Sequence, residues 1–310
     1  MSFRIFIKTK EPRSLYEPIE YMLSQGGKKL RPALVEMAYR LYKNDVKKIA
    51  PYAAATEIFH NFSLVHDDIM DMAPMRRGKP TVHKKWGLST GILAGDVMLV
   101  KVYELFALLP PPQLSPVLQR FNQCAVAVCE GQQRDMEFET KKVSMKEYLK
   151  MIEQKTAALL GFSLELGAML AKAPAEDQLL LRRCGLALGL AFQLADDLLD
   201  VYGGEAFGKQ AGGDILANKK TYLLLKAYEL ANVKQRAALN RWISKKEFEP
   251  AEKIKAVAEI YHQLDVKTNT QKAIDGYGKM ALSQLSKLPI APQRKKKMES
   301  FFQEMLGRTV

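Results

Sequence analysis

The amino-acid sequence predicts an all-α protein that folds as a single domain over residues 1–310. Apolar residues recur at helical spacing along most of the chain, whereas the alternation typical of half-buried strands is scarce. The chain contains 19 glycines and 14 prolines, which is modest for a sandwich or a barrel that needs many turns. Neither a repeat of fixed length nor a shift in composition marks a second domain.

Helices are predicted where apolar stripes run between glycine or proline breaks. In the predicted helix Ala53–Asp71, for example, Ile58, Phe62, Val65 and Ile69 form one helical stripe. In chain order the predicted helices are Tyr16–Gln25, Pro32–Tyr42, Ala53–Asp71, Gly91–Leu109, Pro116–Glu137, Met145–Ala171, Glu176–Val201, Tyr222–Asn232, Pro250–Leu264 and Thr268–Leu285. The breaks between them are Gly26–Gly27, Ala73–Pro80, Pro110–Pro112, Lys172–Pro174, Gly203–Gly213 and Pro289–Pro292.

The composition excludes several classes of protein. Hydrophobic residues make up 47% and charged residues 26% of the chain, which is typical of a globular protein and excludes disordered and collagen-like classes. Three cysteines are too few for a disulfide framework and lack the spacing of a zinc site. The N-terminus lacks a signal peptide, and the longest apolar stretch, Cys184–Ala195, is too short to span a bilayer. The sequence therefore predicts a soluble, cytoplasmic protein without a transmembrane segment.

The net charge of +13 indicates a polyanionic partner, which could be nucleic acid, an anionic membrane or a phosphorylated small molecule. A basic surface that only keeps the protein in solution is the simpler alternative. Most of the basic clusters are scattered and are interpreted as solvated helix faces. These clusters are Lys47–Lys48, Lys141–Lys142, Lys245–Lys246 and Arg294–Lys297.

Two acidic clusters lie on apolar helices. In the first, HNFSLVHDDIMD, Asp67 and Asp71 lie about 40° apart on one helix face, and His60 falls about 20° from Asp67. In the second, FQLADDLLD, four polar side chains share an arc of about 100° on a helix that is apolar nearly all round. The second set consists of Gln193, Asp196, Asp197 and Asp200.

Carboxylates that share one helix face repel one another and, when buried, lose hydration, so a cation must compensate them. Mg²⁺ is suited to such arcs, because it is commonly bound by one or two carboxylates together with substrate phosphates and water. A single DDxxD sequence could equally be an exposed acidic face. Two copies, both on apolar helices, favour a pair of magnesium sites.

Basic residues accompany both clusters at positions suited to anions. GGKKLRP lies between a Gly-Gly break and a helix start, where backbone N–H groups bind anions, and paired arginines follow the first cluster at a glycine turn. These residues are Lys28, Lys29 and Arg31; Arg76 and Arg77; Lys155 with Thr156; and Lys209, Lys219 and Lys220. Each is weak evidence alone, since surface lysines are common, but together they predict a polyphosphate substrate.

The order of these motifs between Gly26 and Leu225 is highly specific. GGKKLRP, HDDIMD, RRGKPTVH, KT, FQLADDLLD and GK…GDI…NKKT together resemble the trans-isoprenyl diphosphate synthase (polyprenyl synthetase) family, and its short-chain geranylgeranyl and farnesyl members in particular. The resemblance implies an all-α bundle around a central cavity, a homodimer, and three Mg²⁺ ions per active site once substrate is bound. It implies that an allylic diphosphate ionises, condenses with isopentenyl diphosphate and releases pyrophosphate, which serves as the acceptor of the final proton.

The resemblance also assigns roles to individual residues. Asp67, Asp71 and Asp196 correspond to Mg²⁺ ligands. Asp200 corresponds to a residue that supports the second metal site without being its principal ligand. The catalytic set is Asp67, Asp71, Asp196, Lys155 and Lys219. The residues implied to contact the allylic substrate are Arg76, Lys155, Thr156, Gln193, Lys209 and Lys219, and those implied to bind isopentenyl diphosphate are Lys28, Arg31, His60 and Arg77.

Product length is expected to depend on the helix that carries the first cluster, with the growing chain running toward its N-terminal end. Helical geometry favours Ser63 as a wall of this pocket, because Ser63 lies about 40° and Phe62 about 140° from Asp67. The resemblance instead implicates the bulky residue at the position of Phe62 as the floor. An aromatic residue there, with no two-residue insertion in DDIMD, resembles the short-chain synthases, and a C20 product is expected over a C15 product.

Four other interpretations remain open from the sequence. A class I terpene cyclase or a longer-chain polyprenyl diphosphate synthase shares much of the pattern, although cyclases lack the GGKKLRP site and usually lack a second DDxxD. A basic helical protein that binds nucleic acid or a membrane surface would explain the charge but not the two acidic arcs, so no nucleic-acid partner is expected. An inactive regulatory subunit is the fourth, although all motif residues are present.

Overall fold

The computed structural model describes residue 7, residues 11–203 and residues 212–307, and it confirms the predicted all-α class. A ribbon of two short antiparallel strands joins two of the helices. The helices are α1 (Arg13–Ser24), α2 (Leu30–Arg40), α3 (Ala50–Met70), α4 (Val82–Trp86), α5 (Leu88–Phe106), α6 (Pro111–Phe138), α7 (Met145–Ile152), α8 (Ala158–Ala171), α9 (Ala175–Tyr202), α10 (Gly213–Leu216), α11 (Tyr222–Leu230), α12 (Val233–Ser244), α13 (Pro250–Gln263), α14 (Val266–Ser286) and α15 (Pro292–Leu306); the strands are β1 (Met75–Arg76) and β2 (Lys79–Pro80).

The chain divides into two compact units. The first unit consists of Met1–Cys124 and Phe162–Arg182, and the second of Ala125–Gly161 and Arg183–Val310. Helices α6, α8 and α9 contribute residues to both units. The single domain that the sequence predicts over residues 1–310 stays a prediction.

The core of the first unit forms where α3 packs against α5 and α2. Small residues allow the helices to approach closely: Ala53–Ala55 are fully buried, and a Cβ added at Gly95 of α5 would lie 2.2 Å from the His66 ring. Aromatic rings fill the rest of this core, with Phe121 in edge contact with Phe59 at 5.1 Å between centroids. The first acidic cluster therefore lies at the end of a firmly packed helix.

The core of the second unit surrounds the C-terminal part of α9. Leu190, Leu194 and Leu198 are buried in one cluster with side chains of α7, α11, α13 and α14. This packing fixes the helix that carries the second acidic cluster.

Two long helices were not predicted from the sequence, α12 and α15. Helix α12 is polar and has a single buried hydrophobic side chain, Leu239, so it lacks an apolar stripe; a capping box of Asn232 and Gln235 starts it instead. Helix α15 begins with the basic cluster that the sequence suggested was solvated. Lys295 departs from that prediction, because it is buried and donates to the carbonyl oxygens of Ser286 and Leu288 at the end of α14.

The prediction of one continuous helix over Met145–Ala171 is wrong at its centre. Helix α7 ends at Ile152, residues Glu153–Ala157 form one π-helical turn, and α8 follows. The turn is pressed against α6, because a Cβ added at Gly131 would lie 2.3 Å from the backbone nitrogen of Lys155. A contact between distant segments of this kind leaves no mark on helical periodicity.

Within the described ranges, no helix is both long and apolar enough to cross a membrane.

Candidate functional site

The first acidic cluster occupies the C-terminal end of α3, where Asp71 caps the helix. Its three aspartates have different surroundings: Asp68 is 2% exposed, Asp67 is partly exposed, and Asp71 is exposed. Carboxylates at the C-terminal end of a helix oppose the helix dipole, which already places negative charge there. The end of α3 is therefore an electrostatically unfavourable place for aspartates unless a cation is nearby.

Arg76 of β1 supplies one cation to this cluster. Its Nε donates to both carboxylate oxygens of Asp68 at 2.8 and 2.9 Å, and its Nη2 lies 3.5 Å from Asp67. Burial raises the pKa of Asp68 to about 6, while Arg76 opposes that shift. In this structure Arg76, which the sequence assigned to the allylic substrate, is oriented by Asp68.

A group of cations lies on the same unit around His60. Burial, followed by the guanidinium groups of Arg31, Arg77 and Arg76, lowers the pKa of His60 well below its usual value, so the imidazole is neutral at neutral pH. The structure thus brings together three of the four residues predicted for isopentenyl diphosphate. The fourth, Lys28, is exposed in the turn before α2.

The Gly26–Gly27 turn brings Arg77 into this group. The Arg77 guanidinium donates to the carbonyl oxygen of Gly26, and a Cβ at Gly27 would lie 3.1 Å from Arg77 Nη1. Gly27 also has a φ of 141°, which side chains rarely allow. The turn therefore needs glycine both for its backbone and for the approach of Arg77.

Glu57, a carboxylate that lies among the same cations, was not identified from the sequence. It is 7% exposed on α3, one turn before His60. Burial raises its pKa, and Arg31, Arg77 and Lys29 oppose that shift. A buried carboxylate among several cations partly balances their mutual repulsion.

The second acidic cluster repeats the arrangement of the first at the C-terminal end of α9. Asp196 is exposed, Asp197 is 5% exposed, and Asp200 is partly buried. Asp197 accepts hydrogen bonds from the Tyr148 hydroxyl, from Gln193 Nε2 at 3.1 Å and from the Tyr222 backbone at 3.2 Å. Asp197 therefore ties α7 and α11 to α9.

Neighbouring groups determine the pKa of Asp197 and the hydrogen bonding of Asp200. Burial, with a contribution from the charge of Asp214, raises the pKa of Asp197 to about 7. Asp200 accepts a hydrogen bond from the Asp214 backbone at 2.8 Å, which fixes the start of α10. Asp196 alone of the three is exposed, as a carboxylate that binds an incoming ion must be.

The π turn presents Lys155 to α6 and Thr156 to the second cluster. Lys155 Nζ lies 2.6 Å from a carboxylate oxygen of Asp135 on α6, a partner that the sequence did not suggest. The Thr156 hydroxyl donates to Gln193 Oε1 at 2.9 Å, and Gln193 in turn donates to Asp197. A π turn widens a helix and is common at functional sites.

The connection before α11 positions Lys219. Buried Lys253 donates to the carbonyl oxygen of Leu216 at 3.2 Å and to Asn218 Oδ1 at 2.8 Å, and the Lys219 backbone donates to Asp214 at 3.0 Å. These contacts hold a short connection in which Asn218 has a φ of 54°. Lys209, the remaining residue predicted for the allylic substrate, lies outside the described residues.

The two residues predicted to set product length lie side by side on α3. Phe62 is 9% exposed and contacts the rings of Phe59 at 5.5 Å and His66 at 4.8 Å. Ser63 is partly buried, and its hydroxyl donates to the His60 carbonyl. Phe62 thus belongs to the aromatic core of the first unit, whereas Ser63 is a small side chain beside it.

The residues present fit Mg²⁺ by their chemistry. Each cluster offers carboxylate oxygens without sulfur or imidazole ligands, as a hard cation prefers. Among the described residues, no three acidic, histidine or cysteine side chains converge as a closed cage. One or two carboxylates per ion, together with substrate phosphates and water, are the usual ligands of Mg²⁺ in proteins.

Comparison with known proteins gives consistent matches. The polyprenyl synthetase family matches residues 12–261 of this chain. A short chain isoprenyl diphosphate synthase of Methanocaldococcus jannaschii is 40% identical over 248 residues, which cover 79% of this chain and 76% of that protein. A geranylgeranyl diphosphate synthase of Methanosarcina mazei is 39% identical, covering 70% and 68% of the two chains. A crystal structure of geranylgeranyl pyrophosphate synthase is similar with a TM-score of 0.95 at 43% identity, covering 99% and 96%.

Proposed function

Because this chain belongs to the polyprenyl synthetase family, we propose that it is a trans-prenyltransferase that condenses isopentenyl diphosphate with an allylic diphosphate and releases pyrophosphate. Relatives with close to 40% identity are named as short-chain and geranylgeranyl synthases, which supports a C20 product. The observation that carries the proposal is the repeated arrangement of the two DDxxD clusters. Each lies at the C-terminal end of a long helix with its second aspartate buried, while its first aspartate is partly exposed in one cluster and exposed in the other.

The allylic diphosphate is proposed to bind through Mg²⁺ held by the DDxxD aspartates and through the cations near those aspartates. Asp67, Asp71 and Asp196 would hold Mg²⁺, which when bound stabilises the negative charge that develops on the leaving diphosphate. Lys155 and Lys219 bind the same diphosphate directly and add fixed positive charge where the C–O bond breaks. Asp135 orients Lys155, and Asp200 orients the connection before Lys219 through Asp214.

Isopentenyl diphosphate is proposed to bind at the basic group around His60. Lys28, Arg31 and Arg77 bind its phosphates, and neutral His60 donates a hydrogen bond without adding charge. Holding the alkene in place favours attack on the allylic carbon over attack by water. The departing pyrophosphate takes the proton that is lost as the new double bond forms.

Thr156 and Gln193 are proposed to face the allylic carbon. Their hydroxyl and amide oxygens carry partial negative charge, and the hydrogen bond between them fixes where those oxygens point. Together with apolar walls that exclude water, they stabilise the cation until the alkene attacks. Arg76, held by Asp68, contributes positive charge beside the first cluster, and Lys209 is proposed to contact the same diphosphate.

The assembly and location of the protein are proposed on separate grounds. A homodimer is supported by exposed apolar side chains along α5. A cytoplasmic location is supported by Cys124, Cys129 and Cys184, which are all free thiols, as expected in a reducing compartment. A single domain over residues 1–310 and the use of three Mg²⁺ ions are proposed from the family alone.

The reaction is tested by incubating the purified protein with Mg²⁺, isopentenyl diphosphate and a C5, C10 or C15 allylic diphosphate, followed by chromatography of the dephosphorylated products. A linear C20 alcohol is expected from each starter. Release of pyrophosphate with a cyclic hydrocarbon would identify a terpene cyclase, and no turnover with any starter would contradict the proposal.

A further inference from the structure

The second unit contains a large cavity that the proposed reaction does not use. It has a volume of about 750 Å³, within the range of sites that bind organic molecules. One wall is the connection from α6 to α7, residues 139–144, with Met145 at the start of α7, and the other consists of Lys220 and residues of α11 and α12. Lys220, one of the basic residues that predicted a polyphosphate substrate, lines it, but no residue assigned to allylic or isopentenyl diphosphate does.

The deep surface of the cavity is apolar. Val143, Met145, Leu225, Tyr228 and Ile243 line it, and each is only partly buried while it packs on the core of the second unit. A ligand that covered these side chains would bind favourably, because it would remove their apolar surface from water.

The cavity also contains an excess of positive charge. Its charged residues are Lys141, Lys142, Lys220, Arg236, Glu139 and Glu229. Lys141 is paired with Glu137 at 2.6 Å and Glu229 with Lys226 at 2.8 Å, so these two are already compensated by residues outside the cavity.

Lys220 and Arg236 are held differently, by neutral groups. Arg236 Nη2 donates to the Tyr228 carbonyl oxygen at 2.6 Å, and Lys220 Nζ donates to the Asn218 carbonyl oxygen at 3.3 Å. In the described part of the chain neither forms an ion pair with a carboxylate. Two cations fixed beside an apolar surface are complementary to an anionic headgroup that carries a hydrocarbon chain.

We propose that this cavity is a second ligand site, which binds an amphipathic anion with its headgroup at Lys220 and Arg236 and its hydrocarbon chain against Leu225, Tyr228 and Ile243. The headgroup could belong to a fatty carboxylate or to a prenyl diphosphate, which share this chemistry. The assignment does not depend on catalysis, and its test requires no turnover.

The test is calorimetric titration of the full-length Asp196→Ala protein in Mg²⁺-free buffer with oleate, geranylgeranyl diphosphate and inorganic pyrophosphate. At least one of the two chain-bearing probes should bind with one-to-one stoichiometry, and pyrophosphate should bind at least about tenfold more weakly, because it lacks the apolar chain. Binding of oleate would show that the site accepts fatty carboxylates. Binding of geranylgeranyl diphosphate without binding of oleate would assign the site to prenyl diphosphates.

Matched variants locate the binding. Arg236→Glu, which reverses a charge in the cavity, should weaken binding by about tenfold or more, whereas Arg241→Glu, an exposed residue of the same helix outside the cavity, should not. Leu225→Trp, which fills the cavity, should also abolish binding, and Leu230→Trp at the end of α11 should not. No binding of either chain-bearing probe, equal binding of pyrophosphate, or binding unchanged by Arg236→Glu and Leu225→Trp would overturn the proposal.

Discussion

The aspartates within each DDxxD sequence differ because their surroundings differ. Asp68 and Asp197, the second members, are buried and accept several hydrogen bonds, from Arg76 in one case and from Tyr148, Gln193 and Tyr222 in the other. The first members are less buried, since Asp67 is partly exposed and Asp196 is exposed. The buried aspartates therefore organise the site, and the accessible ones are left to bind a cation.

Replacing an accessible aspartate should affect turnover and leave the fold intact. Asp67→Ala and Asp196→Ala are each expected to lower kcat by about a hundredfold to a thousandfold, because the developing charge on the diphosphate loses its stabilisation. Steady-state assays with thermal unfolding measure both effects, and Asp275→Ala, an exposed aspartate of α14, serves as control. Turnover close to wild type in either variant would contradict the metal assignment.

Replacing the buried Asp197 should instead change how stability depends on pH. Its pKa is about 7 in the folded protein and has an ordinary value of 3.8 in the unfolded chain, so the folded state binds more protons between about pH 4 and pH 7. The contribution of this group to the free energy of unfolding therefore falls as pH rises through that window.

Asp197→Asn cannot titrate, so the difference in unfolding free energy between wild type and variant should shift in favour of the variant as pH rises from 4.5 to 7.5. Urea unfolding in metal-free buffer measures this difference. Parallel pH profiles would show that Asp197 has no raised pKa.

Phe62 is expected to limit product length. Phe62→Ala opens space beside Ser63 toward the N-terminal end of α3, and the variant should release products longer than C20. Chain lengths are measured by chromatography of dephosphorylated products, with C15 starter and excess isopentenyl diphosphate. A product distribution identical to wild type would instead assign Phe62 only to the core.

At the level of elements, the π turn Glu153–Ala157 is the clearest example of function built on a local irregularity. It presents Lys155 to Asp135 and Thr156 to Gln193 from adjacent positions. Its backbone lies against α6 at Gly131, where any side chain would collide.

Gly131→Ala should therefore displace the π turn. The variant is expected to lose at least about tenfold in kcat, because a shift near 1 Å in a positioning element has large effects on catalysis. Gly276→Ala is the matched control: its Cβ meets open space on α14, and it should be neutral or slightly stabilising. The two variants are compared by kcat and by melting temperature, and unchanged turnover in Gly131→Ala would contradict the role of this contact.

The elements that the sequence could predict are those with an apolar stripe. Helices α3 and α9 were located to within a few residues, since their stripes are long and their ends carry polar clusters. Helix α12 depends on a capping box and one buried leucine, and the π turn depends on Gly131, which lies more than twenty residues earlier. Local periodicity cannot report contacts of that kind.

Prediction of the site residues from the sequence is limited in the same way as prediction of the helices. Motifs identified accessible residues such as Asp67, Asp196 and Lys155, because their chemistry is visible in the sequence. The residues that orient them, among them Asp135 and Lys253, stand outside any motif and become apparent only through distances.

At the level of the whole molecule, α5 presents an apolar surface to solvent. Its exposed side chains fall within an arc of about 140° on one side of the helix. They are Leu88, Ile92, Leu93, Val100 and Tyr103, which are 57%, 41%, 55%, 57% and 39% exposed. A surface of this kind on a single chain is typical of a protein–protein interface.

Because α5 is the proposed homodimer interface, charged substitutions on its exposed apolar side should dissociate the dimer. Light scattering should give the wild-type protein twice its chain mass of 35.0 kDa, and Leu93→Lys with Val100→Lys should give the monomer mass, because burying two unpaired charges is costly. Met280→Lys, at an exposed apolar residue of α14, should leave the mass unchanged. A wild-type monomer, or a dimer insensitive to the α5 variants, would contradict this interface.

The assignment on which the proposed reaction depends most is that Asp67, Asp71 and Asp196 hold the Mg²⁺ that binds the diphosphate. Its most direct test is a crystal structure with Mg²⁺ and a non-hydrolysable allylic thiodiphosphate. We expect Mg²⁺ bound to Asp67 and Asp71 and to Asp196, with each ion also contacting a diphosphate oxygen. Mg²⁺ bound through Asp68 or Asp197, or no Mg²⁺ at the predicted aspartates, would contradict this assignment.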